Sequence, residues 1–424
     1  MRTLVSELPS KIGAEVTLCG WVHRVRDLGG VSFVLLRDRS GTCQLVFSTK
    51  PDVTLESVIR VQGSAAANDK APGGVEVRVS GMEVMAAAAA DLPFPVNQDP
   101  GKTSLESILD HRMISLRNPS ILSIFRLQAT ILLAFADHLR SEGFTEIKTS
   151  KLIGSGTEGG TGLFAVEYFD SKMFLTQSPQ TFKQALIASG LERVFEIGPA
   201  YRAEKHDTPR HINEFVSLDV EMAFIESEQD LMDLETRILG AVFSAIRQKN
   251  TRELDAWKAS VPDPERCASI PRVAYDDALK VIAEETGRKV YEIGPDGERA
   301  LCEWAGKSAG IEAAFVYGYP RKSRPFYTAP AENNRTKSFD LLFRGLEITS
   351  GSVRINSYDL QVENLQAFGL NPDGFTDYLS IFKYGCPPHG GFAIGLERLT
   401  QKVLGLSSVK EATLFPRDRK RMRP

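Results

Sequence analysis

Residues 193–224 read "RVFEIGPAYRAEKHDTPRHINEFVSLDVEMAF". Two apolar runs, "RVFEIGPAY" and "FVSLDVEMAF", flank a stretch dense in charge and turn formers. Such runs suit strands, and Asp207, Thr208 and Pro209 supply turn chemistry between them, so the pattern predicts an antiparallel hairpin. Its tip would carry Arg202, Glu204, Arg210 and His211. A guanidinium presents a planar fork of donors, and phosphate is the ligand such a tip suits best. A solvated hairpin with incidental surface charge accounts for the same residues, so the rest of the chain must decide.

The chain has 424 residues, enough for two or three domains with real cores. The formal net charge is −3, so the protein as a whole does not attract polyanions and any nucleic-acid site must be a local patch. Five cysteines without a C-x-x-C pair support neither a zinc ribbon nor a redox motif, and suit a reducing cytosol. The opening "MRTLVSELPS" lacks an apolar leader core, and no run is expected to reach membrane-spanning length. A cytoplasmic protein is expected.

Residues 15–84 read as short strands with turns at Gly29-Gly30 and Ser40-Gly41, which suits a small closed barrel with an OB-fold as the leading choice. A proline-bearing stretch at 90–104 breaks that pattern. Beyond it, "SILSIFRLQATILLAFADHLRSEGF" has helical spacing and stops at Gly143. Strand-rich blocks stand at both ends of this region, with a helical, acidic insertion expected at about 226–310. The fold class is therefore α+β on an antiparallel sheet. The expected division is a barrel domain over 1–90, a hinge over 91–110 and a second domain over 111–424.

Two further clusters carry chemistry. In "FDLLFRGLEITSGSVR", residues 339–354, Glu347 and Asp340 could hold Mg²⁺ against phosphate oxygens. Regular alternation would put Glu347 and Thr349 on one face and Ser350 on the other, unless a bulge intervenes. "PPHGGFAIGLERL", residues 387–399, leads a glycine-rich strand into a helix with Arg398 in its first turns. There is no G-x-x-x-x-G-K-[ST], so this is no P-loop.

Taken together, these segments resemble the class II aminoacyl-tRNA synthetases of the aspartate-type subclass, in their short archaeal form. Tyr201-Arg202-Ala203-Glu204 with His211-x-x-x-Phe215 is similar to the second motif of that family, and Gly391 to Arg398 to the third. The helix at 121–139 with "EGFTEIKTSKL" resembles the first motif, which builds the dimer interface; Ser150 stands where proline is usual, and Gly162 where glutamate is common. The resemblance covers essentially the whole chain, with an anticodon-binding OB-fold before a catalytic domain.

It implies a homodimer that uses ATP, Mg²⁺ and tRNA to make an aspartyl-adenylate and then an aspartyl ester. Arg202, Glu347 and Arg398 would be the catalytic residues. Arg202, Ala203, Glu204, Arg210, His211, Ile212, Glu347, Gly395, Leu396, Glu397 and Arg398 would bind ATP. Glu158, Gln180, Lys183, Arg202, Ser350 and Arg354 would bind aspartate, with Lys183 and Arg354 facing its side chain. Asp340, Glu347 and Ser350 would form the magnesium region. As an alternative, Lys183 is an ordinary helix-surface lysine.

In the barrel, Phe33 and Gln44 would stack on and read the anticodon, although Phe33 could equally be core. Relatives that charge only the aspartate tRNA carry tryptophan and lysine where this chain has His23 and Pro72. That pairing resembles the non-discriminating enzymes, which aspartylate both tRNA(Asp) and tRNA(Asn), and it implies a tRNA-dependent amidotransferase as a functional partner. The rival readings are a strictly discriminating enzyme, an asparagine–tRNA ligase, and a non-catalytic nucleic-acid-binding paralogue.

Overall fold

The computed structural model describes residues 1–154 and 162–424. The chain divides into two compact units, 1–118 and 119–424. In the first, β1 (Glu15–Asp27), β2 (Ser32–Asp38), β3 (Gly41–Phe47), β4 (Val58–Ala67) and β5 (Val75–Ala86) close a barrel in the order β1-β2-β3-β5-β4. Alternation decides which side chains go inside: Val34, Leu36, Leu45, Ile59 and Val77 are buried, while Phe33, Leu35 and Gln44 face outward. Phe33 is therefore not core. Two short helices, α1 (Leu105–Asp110) and α2 (Arg112–Ser115), complete this unit, with Ser104 capping α1.

The second unit is built on an eight-stranded sheet. Its strands are β6 (Thr145–Glu146), β10 (Arg193–Tyr201), β11 (Glu214–Ala223), β12 (Arg272–Ala274), β13 (Ala313–Tyr317), β16 (Ser338–Phe343), β17 (Leu346–Val353) and β18 (His389–Gly395). The order is β12-β13-β16-β17-β18-β11-β10-β6, antiparallel through the middle and parallel at both edge pairs. Small accessory ribbons are formed by β7 (Leu152–Ile153), β8 (Ala165–Tyr168) and β9 (Ser171–Leu175), and by β14 (Pro330–Ala331) with β15 (Arg335–Thr336).

One face of the sheet is covered by α3 (Pro119–Ser141), α5 (Glu228–Lys249) and α11 (Leu396–Leu404). Leu127, Ile131 and Phe135 of α3 recur at helical spacing and pack with Leu234, Ile238 and Phe243 of α5 against Leu218, Val220, Phe339 and Phe392. Contrary to the sequence reading, α3 is long and apolar enough to cross a membrane by length and composition. Its buried stripe explains the apolarity: it is a core helix of this unit.

The expected helical insertion at 226–310 also needs correction. Its helices exist, namely α5, α6 (Thr251–Trp257), α7 (Tyr275–Thr286) and α8 (Pro295–Ala309). They are not set apart, because α5 is one of the three helices of the core layer and β12 joins the edge of the sheet. Of the remaining helices, α4 (Gln180–Leu186) lines the cavity on the opposite face, and α9 (Tyr358–Ala367) and α10 (Thr376–Lys383) pack together with Phe326 and Tyr327.

Candidate active site

The hairpin predicted at 193–224 forms as read, with β10 and β11 paired from Arg193↔Met222 to Tyr201↔Glu214. Residues 202–213 make the tip. On β11, period-two alternation sends Leu218, Val220 and Met222 into the core and Ser217 and Asp219 to the opposite side. A cavity of about 320 Å³ lies there. Its walls include Arg202, Glu204, Arg210, His211 and Ile212 from the tip, Gln180 and Lys183 from α4, Glu347, Ser350 and Arg354 from β17 and beyond, and Gly395, Glu397 and Arg398 from the third segment. Ala203 and Leu396 do not line it: Ala203 bridges to Gly162, and Leu396 belongs to the core. Glu158 lies outside the described residues.

The segment 339–354 is a hairpin. Arg344 and Gly345, at φ 47° and 75°, turn β16 into β17, the conformation of a two-residue hairpin loop. A bulge then interrupts the ladder, which pairs Leu341 with Thr349 but Leu342 with Glu347. The extra residue, Ile348, resets the alternation. Glu347 and Ser350 therefore share the cavity, and Thr349 is fully buried beneath them.

At one end of the cavity sits a buried ionic cluster. Lys183 is 1% exposed, which removes the reading as a surface lysine. Its ammonium donates to Asp219 at 2.9 Å and to the Val220 carbonyl at 3.3 Å, with Glu221 at 3.3 Å. Arg354 donates to both Glu221 oxygens at 2.8 and 3.2 Å, to Ser352 at 2.6 Å and to Gln180 at 3.0 Å. Burial would raise the Glu221 pKa, but Arg354 and Lys183 outweigh it and hold the carboxyl at about 2. Gly391 makes the approach feasible, since a Cβ there would collide with the Val220 carbonyl and with Glu221. Asp219 and Glu221 were missed from sequence. Two acids two residues apart within the apolar run 218–222 were the available signal.

At the other end, charges alternate. Arg398 donates to the Glu347 carbonyl at 2.9 Å and to its carboxylate at 3.3 Å. Arg210 pairs with Glu298 of α8, which also accepts the Glu347 N–H at 3.1 Å. Desolvation, then the neighbouring Asp340, pushes the Glu347 pKa up. Arg324, a second residue absent from the sequence reading, grips both Asp340 oxygens at 2.7 Å, donates to Ser350 at 2.8 Å and stacks 3.7 Å from the Tyr319 ring centroid. It stands in no motif, and no local signal marks it. Glu397 accepts the Val216 N–H at 3.1 Å, so it ties the third segment to the hairpin; burial raises its pKa to about 7. Arg202 lies 5.4 Å over the Phe215 ring. Six cationic side chains (Lys183, Arg202, Arg210, Arg324, Arg354, Arg398) line a cavity with four acidic ones, a balance that suits an anionic substrate.

On the barrel, the outer face aligns Arg26, Phe33, Val46 and Arg78 in one row and Arg24, Leu35, Gln44 and Glu76 in the next. Gln44 and Asn68 both donate to Glu76, at 3.1 and 2.6 Å. A half-exposed aromatic among arginines and fixed polar groups is a surface on which unstacked bases can lie. Pro72 is exposed in the loop between β4 and β5. His23, by contrast, is buried. It occupies a bulge in β1, is 9% exposed, and sits 3.1 Å from Arg37, which pairs with Glu56 at 2.8 Å.

Residues 104–419 match the model of "tRNA synthetases class II (D, K and N)", and residues 16–85 match that of the OB-fold nucleic acid binding domain. The chain belongs to the class II tRNA synthetases. It is 44% identical to the aspartate–tRNA(Asp/Asn) ligase of Thermus thermophilus over 100% of both chains. To the aspartate–tRNA(Asp) ligase of Pyrococcus abyssi it is 40% identical, over 99% of this chain and 98% of the other. Among solved structures, asparaginyl-tRNA synthetase from Pyrococcus horikoshii complexed with asparaginyl-adenylate superposes with a TM-score of 0.93 at 31% identity, covering 100% of both chains. Synthetases of this class use ATP, and the six-cation cavity suits an anionic substrate.

Proposed function

We propose that the protein is an aspartate–tRNA ligase that charges both tRNA(Asp) and tRNA(Asn). The observation that carries the amino acid is the buried Lys183 and Arg354 at one end of the cavity, with Gln180 between them and the phosphate-suited arginines at the other end. A substrate carboxylate entering there exchanges into existing charge pairs, whereas asparagine offers the two cations no charge in return. Full-length likeness to ligases named for aspartate supports the same choice.

In this reading an aspartate α-carboxylate oxygen forms a bond to the α-phosphorus of ATP, and the bond to pyrophosphate breaks. The terminal adenosine of tRNA then displaces AMP from the adenylate. No side chain acts as a nucleophile; the chain orients the reactants and stabilises charge. Arg202 neutralises the α-phosphate, Glu204 meets adenine, Arg210 and His211 hold the outer phosphates, and Arg398 stacks on adenine. Arg210 must loosen its pairing with Glu298 to do so.

The donors around β17 fit a hard divalent cation, because the Glu347 carboxylate and the Ser350 hydroxyl are oxygen donors in the same cavity. We assign Mg²⁺ to Glu347 and Ser350, and keep Asp340 as the anchor of Arg324, which occupies both its oxygens. When bound, the ion supplies neutralising charge for phosphate oxygens.

The dual tRNA choice is supported by His23 and Pro72 and by the likeness to the Asp/Asn ligase of Thermus thermophilus. It makes a tRNA-dependent amidotransferase the consumer of the aspartyl-tRNA(Asn). We further propose a homodimer joined through α3, whose Leu133 is 50% exposed, and a cytoplasmic location, which five free thiols suit. ATP–pyrophosphate exchange with aspartate and with asparagine, followed by charging of purified tRNA(Asp) and tRNA(Asn) transcripts, tests the whole reading. Exchange with asparagine alone, or an uncharged tRNA(Asn) beside fully charged tRNA(Asp), would overturn the corresponding part.

A further inference from the structure

The hairpin tip is strapped down by the segment that follows α11. The Val409 N–H donates to the Pro209 carbonyl at 2.9 Å, and the Asn213 N–H to the Arg417 carbonyl at 2.8 Å. Lys410, only 15% exposed, bridges Asp207 of the tip and Asp418 of the segment, at 2.6 Å to each. Asp418 in turn accepts the N–H groups of Lys420 and Arg421 at 2.8 Å. The Arg417 guanidinium donates to the Pro424 carbonyl at 2.8 Å and folds the segment back on itself.

Asp207 and Asp418 are thus paired, and the other exposed charges here are positive. Arg419, Lys420 and Arg423 are exposed, as is Lys205 on the adjoining tip. Lys420 reaches only the rim of Asp207, at 3.7 Å. Among the described residues Lys205, Arg419 and Arg423 make no ion pair.

We propose that this strap, residues 416–424, forms with Lys205 a docking surface for the phosphate backbone of the acceptor end of tRNA. The inference rests on the tRNA-ligase reading. The terminal adenosine must enter the cavity, so the nucleotides next to it lie against the cavity's rim. Both the tip and Val409, which binds the tip a few residues before the strap begins, contribute to that rim. A chain of net charge −3 needs a local cationic patch to hold a polyanion, and this patch stands at the required place. The strap also orders the patch in advance, because Lys410 and Asp418 fix its backbone before any RNA arrives.

The test is the triple variant Arg419→Ala, Lys420→Ala, Arg423→Ala, assayed with full tRNA and with an RNA hairpin containing only the acceptor stem and its single-stranded end. Adenylate formation, read by pyrophosphate exchange, should match wild type. The KM for both RNAs should rise roughly ten- to hundredfold, and the slope of log(1/KM) against log[salt] should fall by about 2 to 3, as expected for three lost phosphate contacts. The single variant Lys420→Glu should move both readouts in the same direction. Unchanged KM and slope, or a loss confined to full tRNA, overturns the proposal. So does a parallel loss of pyrophosphate exchange, which would make the strap a structural brace only. A wild-type enzyme that activates aspartate but charges neither RNA overturns instead the tRNA-ligase reading.

Discussion

Lys183 and Glu235 are both buried charged residue types, and they call for opposite expectations. Lys183 is held between two carboxylates, so Lys183→Met leaves the buried Asp219 and Glu221 short of a partner. Removing one member of a buried pair costs ~3–5 kcal/mol. The variant should lose stability of that order in denaturant titration and raise the KM for aspartate far more than that for ATP. An unchanged aspartate KM would remove Lys183 from the pocket. Glu235 of α5 is 0% exposed, lies under β17 near Thr349, and has no hydrogen-bond partner for either oxygen among the described residues. Burial pushes its pKa up to about 8. The folded state therefore holds a proton that the unfolded state releases near 4.5, the ordinary value. With the unfolded state binding fewer protons, stability falls as pH rises from about 4.5 to about 8, by at most ~1.4 kcal/mol per pH unit from this group. Glu235→Gln, which mimics the neutral acid, should remove that slope. The gap between variant and wild type should widen from pH 5 to pH 8; a constant gap would mean Glu235 is ionised when folded.

At the scale of elements, two bulges decide what the strands present. In β17 the bulge at Ile348 brings Glu347 and Ser350 to one face, which regular alternation forbids. In β1 the bulge at His23 turns that imidazole inward beside Arg37. Phe33, by contrast, sits on the regular part of β2, where alternation puts it on the outside of the barrel. Phe33→Ala should accordingly leave the thermal unfolding of the barrel nearly unchanged. It should weaken tRNA binding by ~1–3 kcal/mol, the scale of one base stacked on an aromatic ring. A large loss of stability with unchanged tRNA affinity would place Phe33 in the core instead.

For the whole molecule, tRNA choice is the property to test. His23→Trp with Pro72→Lys should depress charging of tRNA(Asn) relative to tRNA(Asp) by roughly ten- to a hundredfold, the worth of one good base contact at ~1–3 kcal/mol. Because His23 is buried, tryptophan there must also disturb the Arg37–Glu56 pair, so the barrel should unfold at lower temperature than wild type. Pro72→Lys alone, on an exposed loop, should carry part of the discrimination without that cost. Equal charging ratios in wild type and both variants would sink the role of both positions.

Much of this was legible in the sequence because it depends on local pattern. Alternation over 15–84 and 193–224, helical spacing over 121–139 and the glycine-rich run before Glu397-Arg398 each select their element through short-range sterics and one-sided burial. Arg202, Glu204, Glu347 and Arg398, which the family resemblance implied together, all line one cavity. What only the tertiary structure decided depends on contacts between segments far apart in sequence. Arg324 finds Asp340 and Ser350 across strands, Lys183 finds Asp219 from a separate helix, and α5 proves to be core rather than insertion. A single extra residue in a strand can reverse which face every later side chain occupies, and its place is set by packing against the neighbouring strand. Local sterics therefore specify the elements, and long-range burial and charge pairing specify the site.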